Sequence, residues 1–226
     1  MNQRIAVWIG AVAAAGALAV TAPLLLRQIP FFRVRQVELV GLRYLAAERV
    51  LDALALQPDQ NLFDPVGEAI RRVQGMAGVV EARIERRLPG TLRVTLVERV
   101  PAAFVSGPTG MIPLDCDARP LPYDPTRGGL DLPLVGRADR RLVRTLCIVR
   151  ASDLTMYRNV NWARAAGEDG VALDLGWQRV FLRMLPTTDE IKAVGAVQRH
   201  LEAVGDTAAE LDARFAGWVV ARRSRT

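Results

Sequence analysis

Alternating apolar and polar residues mark a hairpin between residues 80 and 96. From residue 91 to 96 every second residue is leucine or valine, and threonine or arginine stands between them. A period of two is typical of a strand with one buried and one exposed face. Val80, Ala82 and Ile84 begin a similar strand upstream, and Pro89-Gly90 separates the two. The pattern predicts a hairpin whose exposed face carries no evident catalytic group.

Three further elements are predicted upstream of the hairpin. Residues 32–40 are rich in valine and aromatic residues and end at Gly41, which indicates a strand. Residues 46–55 have apolar side chains at helical spacing. A second helix is expected with Asp64 as its N-cap and Pro65 at its first position. The order is therefore β-α-α-β-β, with both helices on one face of a three-stranded sheet.

The loop between the two predicted helices contains Leu62 and Phe63. Both side chains are apolar and precede the second helix directly. We expect them to fill the gap between the helices and the sheet.

Beyond residue 101 the elements become shorter. Turns are predicted at 107–110 and 114–119, strands at 171–175, 179–182, 211–215 and 218–221, and a helix at 140–150. Thr187 and Glu190 have the spacing of a capping box. The helix that they begin has an apolar stripe that ends at Val204. The fold class is α+β, with a second domain that is mostly β with helices.

Residues 5–26 form an uncharged run near the N-terminus. About 20 apolar residues cross the hydrocarbon core of a bilayer, so the run predicts a transmembrane helix. A cleaved signal peptide is the alternative, with residues 17–19 as its cleavage site, but the apolar run continues past them. More arginines follow the run than precede it, and this count alone would place the C-terminal body in the cytoplasm.

The charge of the chain is positive but dispersed. The net charge is +6, and the basic residues extend from Arg4 to Arg225. A nucleic-acid-binding surface would require basic residues clustered with aromatic residues between them. This distribution argues against nucleic acid as a partner.

The residue types that carry enzyme chemistry are scarce. His200 is the sole histidine and lies among charged residues of a predicted helix, which does not indicate a catalytic relay. Asp115 and Asp117 lie in a predicted turn, where aspartates commonly accept hydrogen bonds from their own backbone. We expect no catalytic residues, no metal site, no cofactor and no small-molecule substrate.

The chain has two cysteines, Cys116 and Cys147. They lack the spacing of a zinc site. A disulfide would suit a domain outside the cytoplasm, but two buried thiols are the favoured interpretation, because free cysteine packs as a small hydrophobic residue.

Several segments, in this order after an apolar run, carry a family resemblance. They are FRVRQVELVG at 32–41, NLF at 61–63, RRLPGTL at 86–92, ERVP at 98–101 and the pattern Asp-x-Arg-Phe-x-Gly at 212–217. The chain resembles the FtsQ/DivIB family of bacterial cell-division proteins, whose members carry a POTRA domain directly after one membrane anchor. The resemblance implies a short cytoplasmic N-terminus (1–4), a transmembrane helix (5–26), a POTRA domain (31–100) and a C-terminal β-domain (101–226).

The resemblance also implies a function. Family members are non-enzymatic, bitopic scaffolds of the divisome that link cytoplasmic and extracytoplasmic division proteins at the septum. The N-terminus would be cytoplasmic and the body extracytoplasmic, against the charge count, because large domains are translocated largely regardless of charge. The implied partners are FtsB-like and FtsL-like single-pass division proteins and other divisome membrane proteins, with the chain embedded in the inner membrane.

Two other functions remain open. A POTRA-containing component of outer-membrane protein assembly or secretion would require tandem POTRA repeats or a barrel of alternating strands, and the sequence shows neither. A membrane-anchored hydrolase would require a catalytic set, which the sequence does not provide.

The predicted binding site lies in the last strands, at residues 211–221. An exposed strand edge can bind a partner strand through its backbone groups, and aromatic side chains are common interface anchors. Asp212 and Arg214 offer charges for a partner, and Phe215 and Trp218 stand on either side of Gly217. The alternative is that the two aromatic side chains belong to the core of the β-domain.

Overall fold

The computed structural model describes Trp8, Thr21 and residues 25–108, 110–126, 129–206 and 208–223. The chain divides into two compact units, Met1–Glu98 and Arg99–Thr226. Within the described residues no helix has the length and hydropathy that a membrane span requires. The predicted transmembrane segment 5–26 lies almost entirely outside those residues and stays a prediction.

The first unit has the predicted order of elements. They are β1 (Gln36–Val40), α1 (Ala47–Leu54), α2 (Gly67–Gln74), β2 (Val79–Arg87) and β3 (Thr91–Glu98), after a short 3-10 helix at Pro30–Phe32. The sheet order is β1-β3-β2, with β1 parallel and β2 antiparallel to β3. The β-α-α-β-β arrangement is thus confirmed.

The alternation in β3 decides which face of this sheet is buried. Leu92, Val94 and Leu96 are buried with the apolar residues of both helices. On the opposite face, Arg93 forms two hydrogen bonds with the carboxylate of Glu38. One face is therefore part of the core, and the other is polar, as the sequence predicts.

Strand β2 departs from the predicted alternation at its start. Its register with β3 shifts between Val79 and Glu81. Because of this irregularity Val79 is buried, whereas Val80 is 57% exposed. The prediction that Val80 faces the core is wrong, since one extra residue in a strand turns the following side chains to the other face.

The second helix also begins differently from the prediction. Its N-cap is Val66, and Asp64 makes no capping bond. Instead the Asp64 carboxylate accepts a hydrogen bond from the backbone N–H of Asn61 at 2.7 Å. Asp64 therefore stabilises the preceding turn, and its carboxylate does not cap the helix.

The loop before that helix contributes one core residue and one peripheral residue. Leu62 is fully buried, as predicted. Phe63 is half-buried, and its ring packs edge-on against Phe32 with centroids 5.2 Å apart. The expectation that both side chains fill the core is therefore correct only for Leu62.

A buried carboxylate explains the glutamate of the 98–101 segment. Glu98 accepts hydrogen bonds from the backbone N–H groups of Arg43, Tyr44 and Leu45 at 2.8–2.9 Å. Gly41 begins this loop with φ +88°, and an added Cβ would lie 2.1 Å from the Leu96 carbonyl oxygen. The loop that leads into α1 thus depends on an acidic residue at 98 and on glycine at 41.

The second unit is built on one mixed sheet. Its strands are β4 (Ala103–Gly107), β5 (Gly110–Leu114), β6 (Leu134–Val135), β7 (Trp162–Ala165), β8 (Gly170–Asp174), β9 (Arg179–Arg183), β10 (Glu210–Asp212) and β11 (Val220–Arg222). Its helices are α3 (Arg140–Ser152), α4 (Leu154–Arg158) and α5 (Thr188–Ala203). The strand order is β11-β10-β9-β8-β7-β6-β4-β5.

Helices α3 and α5 form the core of this unit together with the sheet. Leu146, Ile191 and Val194 are fully buried against strand residues such as Leu173. The capping box of Thr187 and Glu190 is present, as predicted. Val204 is 61% exposed, contrary to the predicted stripe, because α5 ends at Ala203.

Cys116 and Cys147 form a disulfide with Cα atoms 6.0 Å apart. The favoured interpretation of two buried thiols is therefore wrong. The bond joins the turn after β5 to α3, which are distant in the sequence.

Leu62 is expected to stabilise the first unit far more than Phe63 does. Truncating a buried leucine to alanine typically costs about 2–5 kcal/mol, and half-buried Phe63 should cost less. We predict that Leu62→Ala speeds amide hydrogen exchange throughout β2 and β3, and that Leu88→Ala, at an exposed position, leaves it unchanged. Equal effects of Leu62→Ala and Phe63→Ala would contradict this account.

The disulfide is expected to stabilise the second unit. It closes a loop across a sequence separation of 31, for which the chain-entropy relation gives about 3–4 kcal/mol. Reductant should therefore lower the urea midpoint measured by tryptophan fluorescence. The double variant Cys116→Ala/Cys147→Ala should show the lowered midpoint with and without reductant. A midpoint that reductant does not change in the native chain would refute the assignment.

Candidate functional site

Strand β11 is one edge of the eight-stranded sheet. It pairs antiparallel with β10 through three residue pairs, from Glu210 with Arg222 to Asp212 with Val220. All three residues of β11 are exposed. Within the described residues no strand pairs with its outer side, so backbone N–H and C=O groups there are available to another strand.

The opposite edge of the sheet, β5, is less suited to binding. It contains Pro113, which has no N–H to donate. In addition, Leu114 at its end forms a bridge with Pro120. Of the two edges, β11 is therefore the better suited to extend the sheet.

The segment that leads from β10 to β11 is held by Asp212. Its carboxylate is almost fully buried and accepts hydrogen bonds from the Arg214 side chain at 2.7 and 2.9 Å and from the Arg214 backbone N–H at 3.2 Å. The guanidinium group of Arg214 lies over the Phe181 ring, 5.2 Å from its centroid. The two charges thus satisfy each other inside the chain.

This pairing corrects the predicted roles of Asp212 and Arg214. The sequence suggested that both charges are free for a partner, whereas the structure joins them to each other. The side-chain hydrogen bonds from Arg214 hold the pKa of Asp212 below its usual range, against the opposing effect of burial. Asp212 therefore positions the chain, while the Arg214 side chain is 38% exposed at the rim of the site.

The aromatic side chains of the segment point away from the core. Phe215 is 52% exposed and Trp218 is 75% exposed, so neither is the core residue that the alternative required. The backbone N–H of Trp218 donates to the Phe215 carbonyl oxygen at 3.1 Å, and Gly217 between them has φ +77°. A turn that requires positive φ at Gly217 thus presents both rings to solvent.

A groove lies beside these rings. Its volume is about 250 Å³, and one wall is formed by Ala213, Phe215, Gly217, Trp218 and Val219. The other wall comes from the first turns of α5, with Asp189, Glu190 and Ala193. Glu190 is held by Arg183 and by Thr187, whereas Asp189 is exposed at the rim. The groove is largely apolar with a carboxylate at its edge.

The α5 wall was not predicted as part of the site. The capping box places Asp189 and Glu190 in the first turn of a helix, but nothing in the sequence indicates that this turn faces residues 213–219. The contact depends on the parallel pairing of β9 with β10, which is set by the fold of the whole unit.

Two of the other polar candidates, Asp115 and Asp117, have structural roles. Asp115 accepts hydrogen bonds from the backbone N–H groups of Asp117 and Arg119, as expected for a turn. Asp117 pairs with Arg140 and Arg144, and the hydrogen bond from Arg140 lowers its pKa. His200 is exposed on α5. In the described part of the chain no group of side chains has the composition of a metal site.

Comparison with known proteins identifies the relatives of this chain. Residues 32–99 match the family model of the FtsQ-type POTRA domain. A cell division protein FtsQ of Mycolicibacterium smegmatis is 37% identical over 136 residues, which cover 51% of this chain and 40% of the relative. The FtsQ protein of Mycobacterium tuberculosis is 27% identical over 157 residues, 68% and 50% of the two chains.

A third relative gives a shorter match. The cell division protein FtsQ of Zymomonas mobilis is 43% identical over 75 residues, which cover 32% of this chain and 23% of the relative. The aligned residues thus span half or less of the length of these curated relatives. Together the matches confirm the resemblance to the FtsQ/DivIB family.

The Asp212 interaction gives a prediction with a defined pH dependence. Asp212→Asn should lower the free energy of unfolding at pH 7 by about 2 kcal/mol, the scale of hydrogen bonds to a charged group. Because the folded-state pKa is lowered, this stabilisation is present above the ordinary aspartate pKa of about 3.9 and is lost as pH falls through the folded value. Urea titrations from pH 7 to pH 2 measure the difference.

Asp131→Asn serves as the control, because Asp131 is exposed in the same unit. It should change the unfolding free energy little at any pH. A deficit of Asp212→Asn that stays constant down to pH 2 would contradict the ionic role of Asp212.

Proposed function

We propose that this chain is a non-enzymatic, membrane-anchored scaffold of the bacterial divisome that binds an FtsB-like partner along strand β11. The observation that carries the proposal is the open edge of β11 beside a groove lined by Phe215 and Trp218. The similarity to proteins named cell division protein FtsQ supports the division role. The FtsB-like protein would come with an FtsL-like protein, and other divisome membrane proteins would join them at the septum.

Partner binding would proceed by strand addition. Backbone N–H and C=O groups on the outer side of β11 pair with an extended partner segment and supply affinity. An apolar partner side chain enters the groove between Trp218 and α5 and sets the register. The exposed carboxylate of Asp189 favours a basic partner residue next to that apolar one. Recognition of this kind requires no catalytic group.

Arg214, Phe215, Gly217 and Trp218 form the contact surface in this proposal, and Asp212 holds them in place. Gly217 contributes the positive φ that its turn requires. Nothing lies within 4 Å of the position that a Cβ at Gly217 would occupy. The surface is therefore open enough for a partner backbone to approach the chain closely.

The proposed location is the inner membrane, with the N-terminus in the cytoplasm and the body outside. Residues 5–26 act as the anchor, because the run is uncharged and long enough to span a bilayer. The disulfide between Cys116 and Cys147 supports an extracytoplasmic body, since disulfides persist in oxidising compartments and are rare in the cytosol.

The alternative in outer-membrane assembly or secretion has less support. The POTRA match is of the FtsQ type, and the relatives above carry a cell-division name. In the described residues the first unit contains one β-α-α-β-β domain, without the tandem repeat that this alternative requires.

The proposal predicts that two substitutions weaken binding without changing stability. Phe215→Ala and Trp218→Ala should each weaken binding to the extracytoplasmic segment of an FtsB-like protein about 30-fold or more, the scale of an interface hot spot. Because both side chains are largely exposed, the melting temperature should stay unchanged. Calorimetric titration and thermal melts of the same samples test both points.

Trp177→Ala provides the matched control, because Trp177 is also exposed, at 56%, but lies outside this groove. It should leave the affinity unchanged. A partner peptide with N-methyl groups on alternate amides tests strand addition, and one of the two possible patterns should abolish binding. Unchanged affinity in both aromatic variants would overturn the proposal.

A further inference from the structure

One end of the first unit presents apolar and basic side chains that the proposed function leaves without a role. Ile29, Phe31 and Leu88 are 41%, 58% and 66% exposed. Arg33, Arg35 and Arg87 are exposed with them. We call these six residues the basic tip.

Backbone contacts bring the two parts of the basic tip together. The Arg35 N–H donates to the Gly90 carbonyl oxygen at 2.8 Å. A Cβ on Gly90 would lie 2.5 Å from the Arg33 carbonyl oxygen, so the hairpin turn packs directly on residues 33–35. The Arg35 side chain donates to the Phe31 carbonyl oxygen and lies over its ring. Leu88 in the turn and Phe31 therefore belong to the same end of the unit.

The arginines of the basic tip lack close carboxylate partners. Two other exposed arginines of this unit have carboxylate partners: Arg83 lies 2.7 Å from Glu81, and Arg71 lies 3.8 Å from Glu68. Among the described residues, Arg33, Arg35 and Arg87 have no carboxylate oxygen within 4 Å. This end of the unit thus combines exposed apolar side chains with positive charge that forms no direct ion pair, and Glu38 attracts Arg87 only at longer range.

The same end is tied to the residues that follow the predicted anchor. The Asn61 side-chain amide donates to the carbonyl oxygens of Leu26 and Ile29 at 3.4 and 3.1 Å. The Arg27 side chain donates to the Phe63 carbonyl oxygen at 3.0 Å. The uncharged run ends at residue 26, so these bonds hold its last residue against the folded unit.

We propose that the basic tip is a docking surface for the anionic headgroups of the membrane that holds residues 5–26. The proposal rests on the anchor of the proposed function. Ile29, Phe31 and Leu88 would enter the interfacial region, where partly buried apolar side chains are stabilised. The arginines would pair with lipid phosphates at the anionic surface.

Docking would give a purpose to the Arg-Arg-Leu-Pro-Gly segment at 86–90. Its hairpin turn presents Leu88 outward between the exposed residues Arg87 and Pro89. Lipid docking of this kind requires no catalytic group in the turn. Together with the Asn61 bonds, it would fix the orientation of the first unit on the bilayer.

The test uses the full chain in nanodiscs that contain phosphatidylcholine with 30% phosphatidylglycerol and a trace of gadolinium-chelate lipid. A trifluoromethylphenylalanine replaces Leu88 in one sample and Val80 in another. Both positions are exposed on the hairpin, Val80 near the start of β2 and Leu88 in the turn after it, about 25 Å apart at about 3.3 Å per residue. We expect strong paramagnetic broadening of the fluorine signal at position 88 and little at position 80.

Charge removal separates lipid docking from simple proximity. Arg33→Gln/Arg87→Gln should lower the docking equilibrium about 30-fold and remove most of the broadening at position 88. The control Arg71→Gln/Arg83→Gln removes the same charge elsewhere in the unit and should change nothing. Broadening that is equal at positions 88 and 80, or that is unaffected by Arg33→Gln/Arg87→Gln, would overturn the proposal.

Membrane retention separates this proposal from the anchor itself. In proteoliposomes of the same lipids the native chain should resist extraction with alkaline carbonate. Extraction would refute the anchor, and the docking proposal with it. Retention with equal broadening at the two positions would refute the docking alone.

Discussion

The buried carboxylate of Asp212 is the group on which the proposed binding edge depends. A charge in this position is costly unless hydrogen bonds compensate it, and Arg214 supplies three of them. Arg214 is thereby turned back onto the chain and onto the Phe181 ring. The chain then turns at Gly217, on the surface of the unit, before strand β11 begins. The exposed aromatic rings are thus a consequence of a polar interaction that is itself buried.

The sequence predicted best where structure is set by neighbouring residues. The alternation of β3 and the capping box of Thr187 with Glu190 both appear as expected, because each depends on side chains a few residues apart. Predictions failed where a distant partner decided the outcome. Asp64 bonds Asn61 instead of capping α2, and the shifted register between β2 and β3 turns Val80 outward. The disulfide depends on the approach of two distant segments, which no local pattern reports.

In the candidate site, too, the features set by neighbouring residues could be predicted and those set by distant residues could not. The aromatic residues Phe215 and Trp218 could be selected from the sequence, and their exposure agrees with an interface. The roles of Asp212 and Arg214 could not be assigned, because the sequence is the same whether the two side chains bind a partner or bind each other. The α5 wall of the groove required the fold, since Asp189 approaches Trp218 only after β10 pairs in parallel with β9. Sequence thus located the strand edge, and structure defined its shape.

The central claim is that the outer side of β11 receives a partner strand, and amide hydrogen exchange on that strand tests it most directly. In the free chain the outward amides of Val220–Arg222 are open to water and should exchange rapidly. Saturation with the extracytoplasmic segment of an FtsB-like protein should slow them at least tenfold while the amides of the β5 edge keep their rates. Saturated binding with unchanged exchange in β11 would contradict the account.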